Sequence, residues 1–322
     1  MKFIKPVLFV IINMIVFAAP LSAAGDIRIH ERWAPVINQG AASEFDFITA
    51  LDFDGDWTGN NNWRNAPLFP KPAVVYYDVK ETASHWFIFY ALFHPRDYTT
   101  DPECPSGCHE NDLEGIQLTV RRDGSEFGDL EILETLAHGD IYLYTNKDYI
   151  KGGKLAVDGP VTMIKGRPAV FVEQYGHGIY GRPEKSIEAN PMAVKMLRYV
   201  YTGTAETPDG IPDKKVGYSL VSIHDTIWAR RSCTGDGNCF DAVFDYRGVP
   251  VPGSIDGDDY GRDAANTPWG YDQATGDGVV RGDWFFDPAR AVLYHSGPIG
   301  DFETGYTLNP YPAELKKDST AE

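Results

Sequence analysis

Apolar and polar residues along this chain alternate in short bursts, with little helical spacing. Ala73-Val-Val-Tyr-Tyr-Asp-Val79 and His85-Trp-Phe-Ile-Phe-Tyr-Ala-Leu-Phe93 are dense in β-branched and aromatic residues, and Lys80-Glu-Thr-Ala-Ser84 between them reads as a turn. That spacing predicts an antiparallel pair. Gly115-Ile-Gln-Leu-Thr-Val120 alternates and stops at the turn Arg121-Arg-Asp-Gly124. Leu130–Leu136, Ile141–Tyr144, Pro168–Val172 and Gly217–Ile223 continue the series at strand length. Helical spacing is confined to Pro191–Tyr199 and Asp287–Leu293. The Asp/Gly-rich stretch Arg247–Asp277 reads as a long loop, and Leu315–Glu322 as a frayed tail. Many short strands punctuated by turns predict an all-β fold, a two-sheet antiparallel β-sandwich with long loops and a few short helices.

Composition agrees. The 322 residues are 43% hydrophobic and 13% aromatic, with 32 Gly and 22 Pro, enough for a sizeable core and many turns. A formal net charge of −17 argues against a nucleic-acid binder, which needs a basic face. It argues equally against electrostatic docking on anionic membranes. No phosphate loop, dinucleotide glycine pattern or Gly-x-Ser-x-Gly elbow occurs.

The first 24 residues have the form of a secretory signal peptide. Lys2 and Lys5 precede the apolar run Pro6–Ala19, and Pro20-Leu-Ser-Ala-Ala24 supplies small residues for cleavage. The run is too short for a membrane span, and no later segment is long and apolar enough. The expected compartment is extracellular or periplasmic, with residues 25–314 as a single sandwich domain carrying a C-terminal extension and 315–322 as the tail. In an oxidising compartment the close pairs Cys104/Cys108 and Cys233/Cys239 are expected to form local disulfides. Zinc held by Cys108 and His109 is the alternative.

The chemistry concentrates between Asp97 and Glu114. His109-Glu-Asn-Asp112-Leu-Glu114 offers an imidazole and several carboxylates just before a strand. Residues two apart on an extended segment share a face, so Asp112 and Glu114 point the same way, whereas His109 needs a bend to join them. Oxygen donors with one nitrogen suit Mg, Mn or Ca better than zinc or copper. Asp52-Phe-Asp54-Gly-Asp56 is a second acidic cluster and a candidate structural calcium loop, although Gly55 comes too early and no Glu follows at the expected place.

These residues carry a resemblance. Tyr90-Ala-Leu-Phe-His-Pro-Arg-Asp97, a loop, and His109-Glu-Asn-Asp-Leu-Glu114 resemble the necrosis- and ethylene-inducing-peptide-like proteins, whose heptapeptide Gly-His-Arg-His-Asp-Trp-Glu follows an aromatic strand. The segment is also similar to a broader vacuolar-protein-sorting-sixty-two-like group, nearest to secreted bacterial members. The resemblance spans roughly Val74–His177. It implies a two-sheet sandwich and a divalent cation on Asp97, His109, Asp112 and Glu114, with His177, after the strand Pro168–Val172, beside the pocket. It also implies recognition of sphingolipid head groups and, in toxic members, membrane damage. The chain departs from the motif at Cys108, Asn111 and Leu113, and its loop before His109 is longer.

Three functions follow. The first is a secreted binding module that uses one divalent cation to recognise a sugar, glycolipid or phosphate head group, with Tyr98 or Tyr175 supporting a ring. The second is a metal-dependent hydrolase with His109 or His177 as acid or base. The third is a membrane-damaging toxin. The lean is away from an enzyme, and the oligomeric state is not legible from sequence.

Overall fold

The computed structural model describes residues 28–101, 104, 107–182, 195–211, 215–234, 239–258 and 264–318. The expected leader lies outside these residues. Seventeen strands occur among them: β1 (Val36–Ala41), β2 (Val74–Thr82), β3 (His85–Asp97), β4 (His109–Arg121), β5 (Asp129–Ala137), β6 (Asp140–Tyr144), β7 (Val157–Gly159), β8 (Met163–Ile164), β9 (Arg167–Val172) and β10 (Ile179–Tyr180), then β11 (Lys195–Tyr201), β12 (Lys215–Ser222), β13 (Phe240–Asp241), β14 (Phe244–Tyr246), β15 (Val249–Val251), β16 (Ser254–Ile255) and β17 (Tyr306–Leu308). The predicted antiparallel pair is present: β2 pairs β3, with Tyr76 opposite Ala91.

The expected pair of antiparallel sheets is not confirmed: beside two two-stranded sheets, β13 with β16 and β14 with β15, the main sheet has thirteen strands and is mixed. Its path runs β10-β9-β1-β11-β12-β2-β3-β4-β5-β6-β7. β1 is parallel to β9, β11 to β12, β12 to β2, and β6 to β7. Parallel neighbours need long crossovers in place of tight hairpins, and alternation within a strand does not encode them. The sheet curls until β10 packs against β5 and β4. Its concave face encloses a core that includes Ile37, Ile88, Tyr90, Leu118, Val172 and Tyr199.

β3 explains why its sequence is a continuous apolar run. Ile88, Tyr90 and Leu92 face the concave core. Phe89, Ala91 and Phe93 face outward, onto a second core built with Trp228, Trp269, Trp284 and Tyr311. A strand buried on both faces loses its alternation. The second core is supplied by the C-terminal third, through the helices Asp283–Phe286, Pro288–Ser296 and Tyr311–Asp318.

Local expectations divide. Asp287–Leu293 coincides with the start of the helix Pro288–Ser296, with Asp287 as its N-cap. Lys195–Tyr199, expected to be helical, is strand β11, because its alternate residues Leu197 and Tyr199 enter the concave core; residues 191–194 lie outside the described ones. The tail expected to fray from Leu315 is helical to Asp318, and Leu315 is buried. Arg247–Asp277, expected to be a long ordered or semi-ordered loop, contains the short strands β15 and β16. The structure pairs Cys104 with Cys108 and Cys233 with Cys239.

Candidate functional site

The site forms where the apolar stripes of the concave face run out into polar residues. On β3 the stripe Ile88, Tyr90, Leu92 continues to His94. On β4 the stripe Val120, Leu118, Ile116 continues to Glu114 and Asp112. The antiparallel register sets His94 opposite Asp112, Leu92 opposite Glu114 and Asp97 opposite His109. His109–Glu114 is thus part of β4 itself, where sequence placed it before the strand.

The bend that His109 requires is made at Asn111, whose φ is +62°. Asn tolerates this left-handed conformation better than most residues. Its side chain holds the kink: Nδ2 donates to the carbonyls of Gly59 and Asp256, both at 3.1 Å, and Oδ1 accepts from Asn62 at 2.6 Å. Glu110 points elsewhere and accepts from the Trp63 and Asp258 backbone N–H groups.

Asp97, His109, Asp112 and Glu114 all line one cavity of about 300 Å³, with His138, Gly176 and Tyr271. His109 donates from Nδ1 to the Asn111 carbonyl at 2.7 Å, and its Nε2 lies 3.2 Å from Asp97 Oδ2. Glu114 is buried; Oε1 accepts from the His138 backbone at 3.2 Å, whereas Oε2 has no partner. Burial, then the neighbouring Asp112, pushes the Glu114 carboxyl well above the usual range. Burial raises Asp97 too, against the pull of His109. Burial would lower His109, but Asp97 and Asp112 hold it up to about 9.

Behind the cavity lies a buried relay. His177 donates from Nδ1 to Asp112 at 2.8 Å and from Nε2 to Asp46 at 3.1 Å. Burial alone would favour neutral imidazole; the two carboxylates override it and raise His177 to about 10. Asp46 also accepts from Tyr98 Oη and from the backbone of Ala42, Ser43 and Tyr175. His94 stacks on His177, with centroids 3.7 Å apart, and burial together with His177 keeps it far below its ordinary value. His138 pairs with Glu173 at the rim. The glycines flanking His177 are required by space: a Cβ at Gly176 would sit 2.8 Å from the His138 ring, and one at Gly178 2.9 Å from Glu173. Asn111, His138, Tyr175 and His177 all have positive φ. Such conformations cost of order 1–3 kcal/mol each and persist where surroundings enforce them.

The donor set fits a hard cation. Three carboxylates and one imidazole face one cavity, one carboxylate oxygen is unpartnered, and the His109 Nδ1–H bond to a carbonyl fixes the tautomer that leaves Nε2 as donor. Among the described residues, the group whose donors all lie within 4.8 Å is a different one: His94, Asp112 and His177. Both ring nitrogens of His177 are already engaged by carboxylates, so Asp112 is the member open to both arrangements.

Asp52, Asp54 and Asp56 do not form the extended segment their alternation suggested. The segment is a turn, with Gly55 at φ +99°. Asp54 accepts from Asp56 N–H and Asn65, and Asp56 from Thr58 N–H and Asn61. Tyr98, a candidate sugar platform, has its hydroxyl bound to Asp46 and Ser43. No local sequence pattern marks Glu173, His94 or His138 as part of the site, and Asp46 is not singled out. Ser43-Glu-Phe-Asp46 does carry a capping signature, and Asp46 closes that turn while also reaching His177.

No protein-family model matches the chain, and no curated protein matches it in sequence. Solved structures do. Necrosis and ethylene inducing protein 2, from the causal agent of cocoa's witches' broom disease, is 15% identical over 61% of this chain and 73% of its own, with a TM-score of 0.32. A structure described as a toxin fold for microbial attack and plant defense is 12% identical over 65% of this chain and 80% of its own, with a TM-score of 0.37. NLPPya in complex with glucosamine is 15% identical over 65% of this chain and 79% of its own, with a TM-score of 0.35.

Proposed function

We propose that this chain is an exported binding protein that holds one hard divalent cation, Mg, Ca or Mn, on Asp97, His109, Asp112 and Glu114 and recognises a sugar-type polar head group there. The observation that carries the reading is the buried, unpartnered Glu114 oxygen in a cavity already lined by Asp97 and Asp112. Carboxylates gathered out of water destabilise each other unless a cation or proton compensates. A bound cation supplies open coordination positions for hydroxyl oxygens. The chain's part is to hold the donors: Asn111 fixes the kink and the His109 tautomer, and His177 orients Asp112 through Nδ1. The two disulfides and the leader-like start favour export.

The test is calorimetric titration with Ca, Mg and Mn on wild type, Asp112→Asn and Glu114→Gln, followed by glucosamine and mannosamine with and without the cation. Both amino sugars offer adjacent hydroxyls and an amine suited to an acidic cavity. Cation binding in wild type alone, and sugar binding only with cation present, are expected. Equal cation binding by Glu114→Gln, combined with loss in His94→Ala, would move the ion to the His94, Asp112, His177 group. Steady turnover of a glycoside or phosphodiester would favour the hydrolase reading.

A further inference from the structure

A cavity larger than that of the acidic site lies away from it, on the convex face of the opposite wing of the sheet. It measures about 790 Å³ and is lined by residues of β1, β8, β9, β11 and β12. That volume is within the range of small-molecule sites. The convex face of β2–β4 is covered by the C-terminal helices, whereas Met196 remains 38% exposed on β11 at the edge of this cavity.

Its charge is opposite to that of the chain. Lys165, Arg167, Arg198 and Lys215 line it, and among the described residues no carboxylate does, on a chain of formal charge −17. Lys165 and Lys215 make no ion pair or side-chain hydrogen bond among the described residues. Arg167 is anchored by the carbonyls of Glu31 and Ala34, at 2.6 and 3.1 Å. Arg198 donates from Nε to Asn38 Oδ1 at 2.9 Å. Asn38 is buried at 3% exposure and donates in turn to the Val170 carbonyl. A buried amide that holds a guanidinium by Nε pre-organises an anion-binding fork, since Nη1 and Nη2 have no partner among the described residues. Glu31, which bonds Tyr201 at the edge, is paired with Arg28. Val36, Ile164, Met196 and Val200 supply apolar walls beside the cations.

We infer that this groove binds a soluble single-chain anionic amphiphile, its phosphate- or carboxylate-type head on Arg198, Lys165 and Lys215 and its hydrocarbon portion along Val36, Ile164 and Val200. A free molecule is favoured over a bilayer because the chain's net negative charge opposes approach to an anionic surface.

The experiment is calorimetric titration of the full chain in chelator, which removes the cation-site reading from the result. The probes are decyl phosphate below its micelle concentration, inorganic phosphate, decanol, and phosphatidylcholine vesicles containing phosphatidylserine. Decyl phosphate should bind tighter than either inorganic phosphate or decanol, and more weakly as salt rises. The double variant Lys165→Glu, Lys215→Glu should bind it at least about tenfold more weakly with an unchanged melting temperature. Arg198→Gln, which keeps a donor near Asn38, should weaken it as well. Absence of decyl phosphate binding, equal binding by the double variant, or inorganic phosphate binding as tightly as decyl phosphate would overturn the inference. Vesicle binding lost in the double variant would replace it with membrane docking.

Discussion

At the residue scale, the site is governed by which buried charges have partners. Burial and the neighbouring Asp112 push the Glu114 carboxyl well above its ordinary range, which disfavours its charge without a cation, and glutamine is its neutral isostere. We expect Glu114→Gln to change cation-free stability by less than about 1 kcal/mol. The same variant should lose the stabilisation that cation gives wild type, about 2.7 kcal/mol at a hundredfold excess over Kd. Melting with and without Ca or Mn reads both. His177 presents the reverse case, because it neutralises Asp46 and Asp112 at once. His177→Leu removes the buried cation shared by two carboxylates and should cost about 3–5 kcal/mol in urea unfolding. A cost below about 1 kcal/mol would show that the relay is not ionic.

At the element scale, two strand features decide the geometry. The kink at Asn111 turns His109 into the cavity and Glu110 away from it. Asn111→Val replaces a tolerant residue with a β-branched one at positive φ and removes three hydrogen bonds. A loss of roughly 2–4 kcal/mol is expected, together with weakened cation binding. At the far end of the same strands Glu131 of β5 ties together His85 of β3, at 2.9 Å, and Arg121 of β4, at 2.5 Å, with Tyr149 also donating. Burial alone would raise its carboxyl. The His85, Tyr149 and Arg121 hydrogen bonds outweigh burial and hold it at about 2, against an ordinary 4.5. The lowered value means that the folded state binds this proton later than the unfolded chain. The stabilisation, of order 3 kcal/mol, is complete above pH 4.5 and is lost as pH falls through 2. Glu131→Gln should therefore flatten the acid limb of stability against pH, and an unchanged limb would refute the assignment.

At the scale of the whole molecule, the C-terminal third covers one convex wing of the sheet and leaves the other open. The helix Tyr311–Asp318 closes the cover. Tyr311 donates to Asp78 at 2.8 Å, and Asp78 pairs with the buried Lys80. Glu314 accepts from Trp228 at 2.6 Å and His224 at 2.8 Å. Truncation after Pro310 uncovers Lys80 and removes Tyr311 and Leu315 from the core. We expect a loss of at least about 3 kcal/mol and increased binding of an apolar dye. A truncated chain that melts like the full one would show that the helix is an appendage.

The sequence by itself determined seven of the seventeen strands among the described residues and marked four residues that share a cavity. β-branched and aromatic runs marked β2, β3, β5 and β9, and the four donors of Asp97–Glu114 do line one cavity. Local pattern suffices there, because a strand and its hairpin partner are written in neighbouring residues. Tertiary structure alone decided that the main sheet is mixed and curled, since β1 meets β9 and β11 across long crossovers that no local period records. It alone brought Asp46, from a turn after β1, onto His177, and set His177, which the resemblance had only put beside the pocket, between Asp46 and Asp112. A buried charge can be balanced by any residue the fold delivers, and sequence separation carries no trace of that delivery.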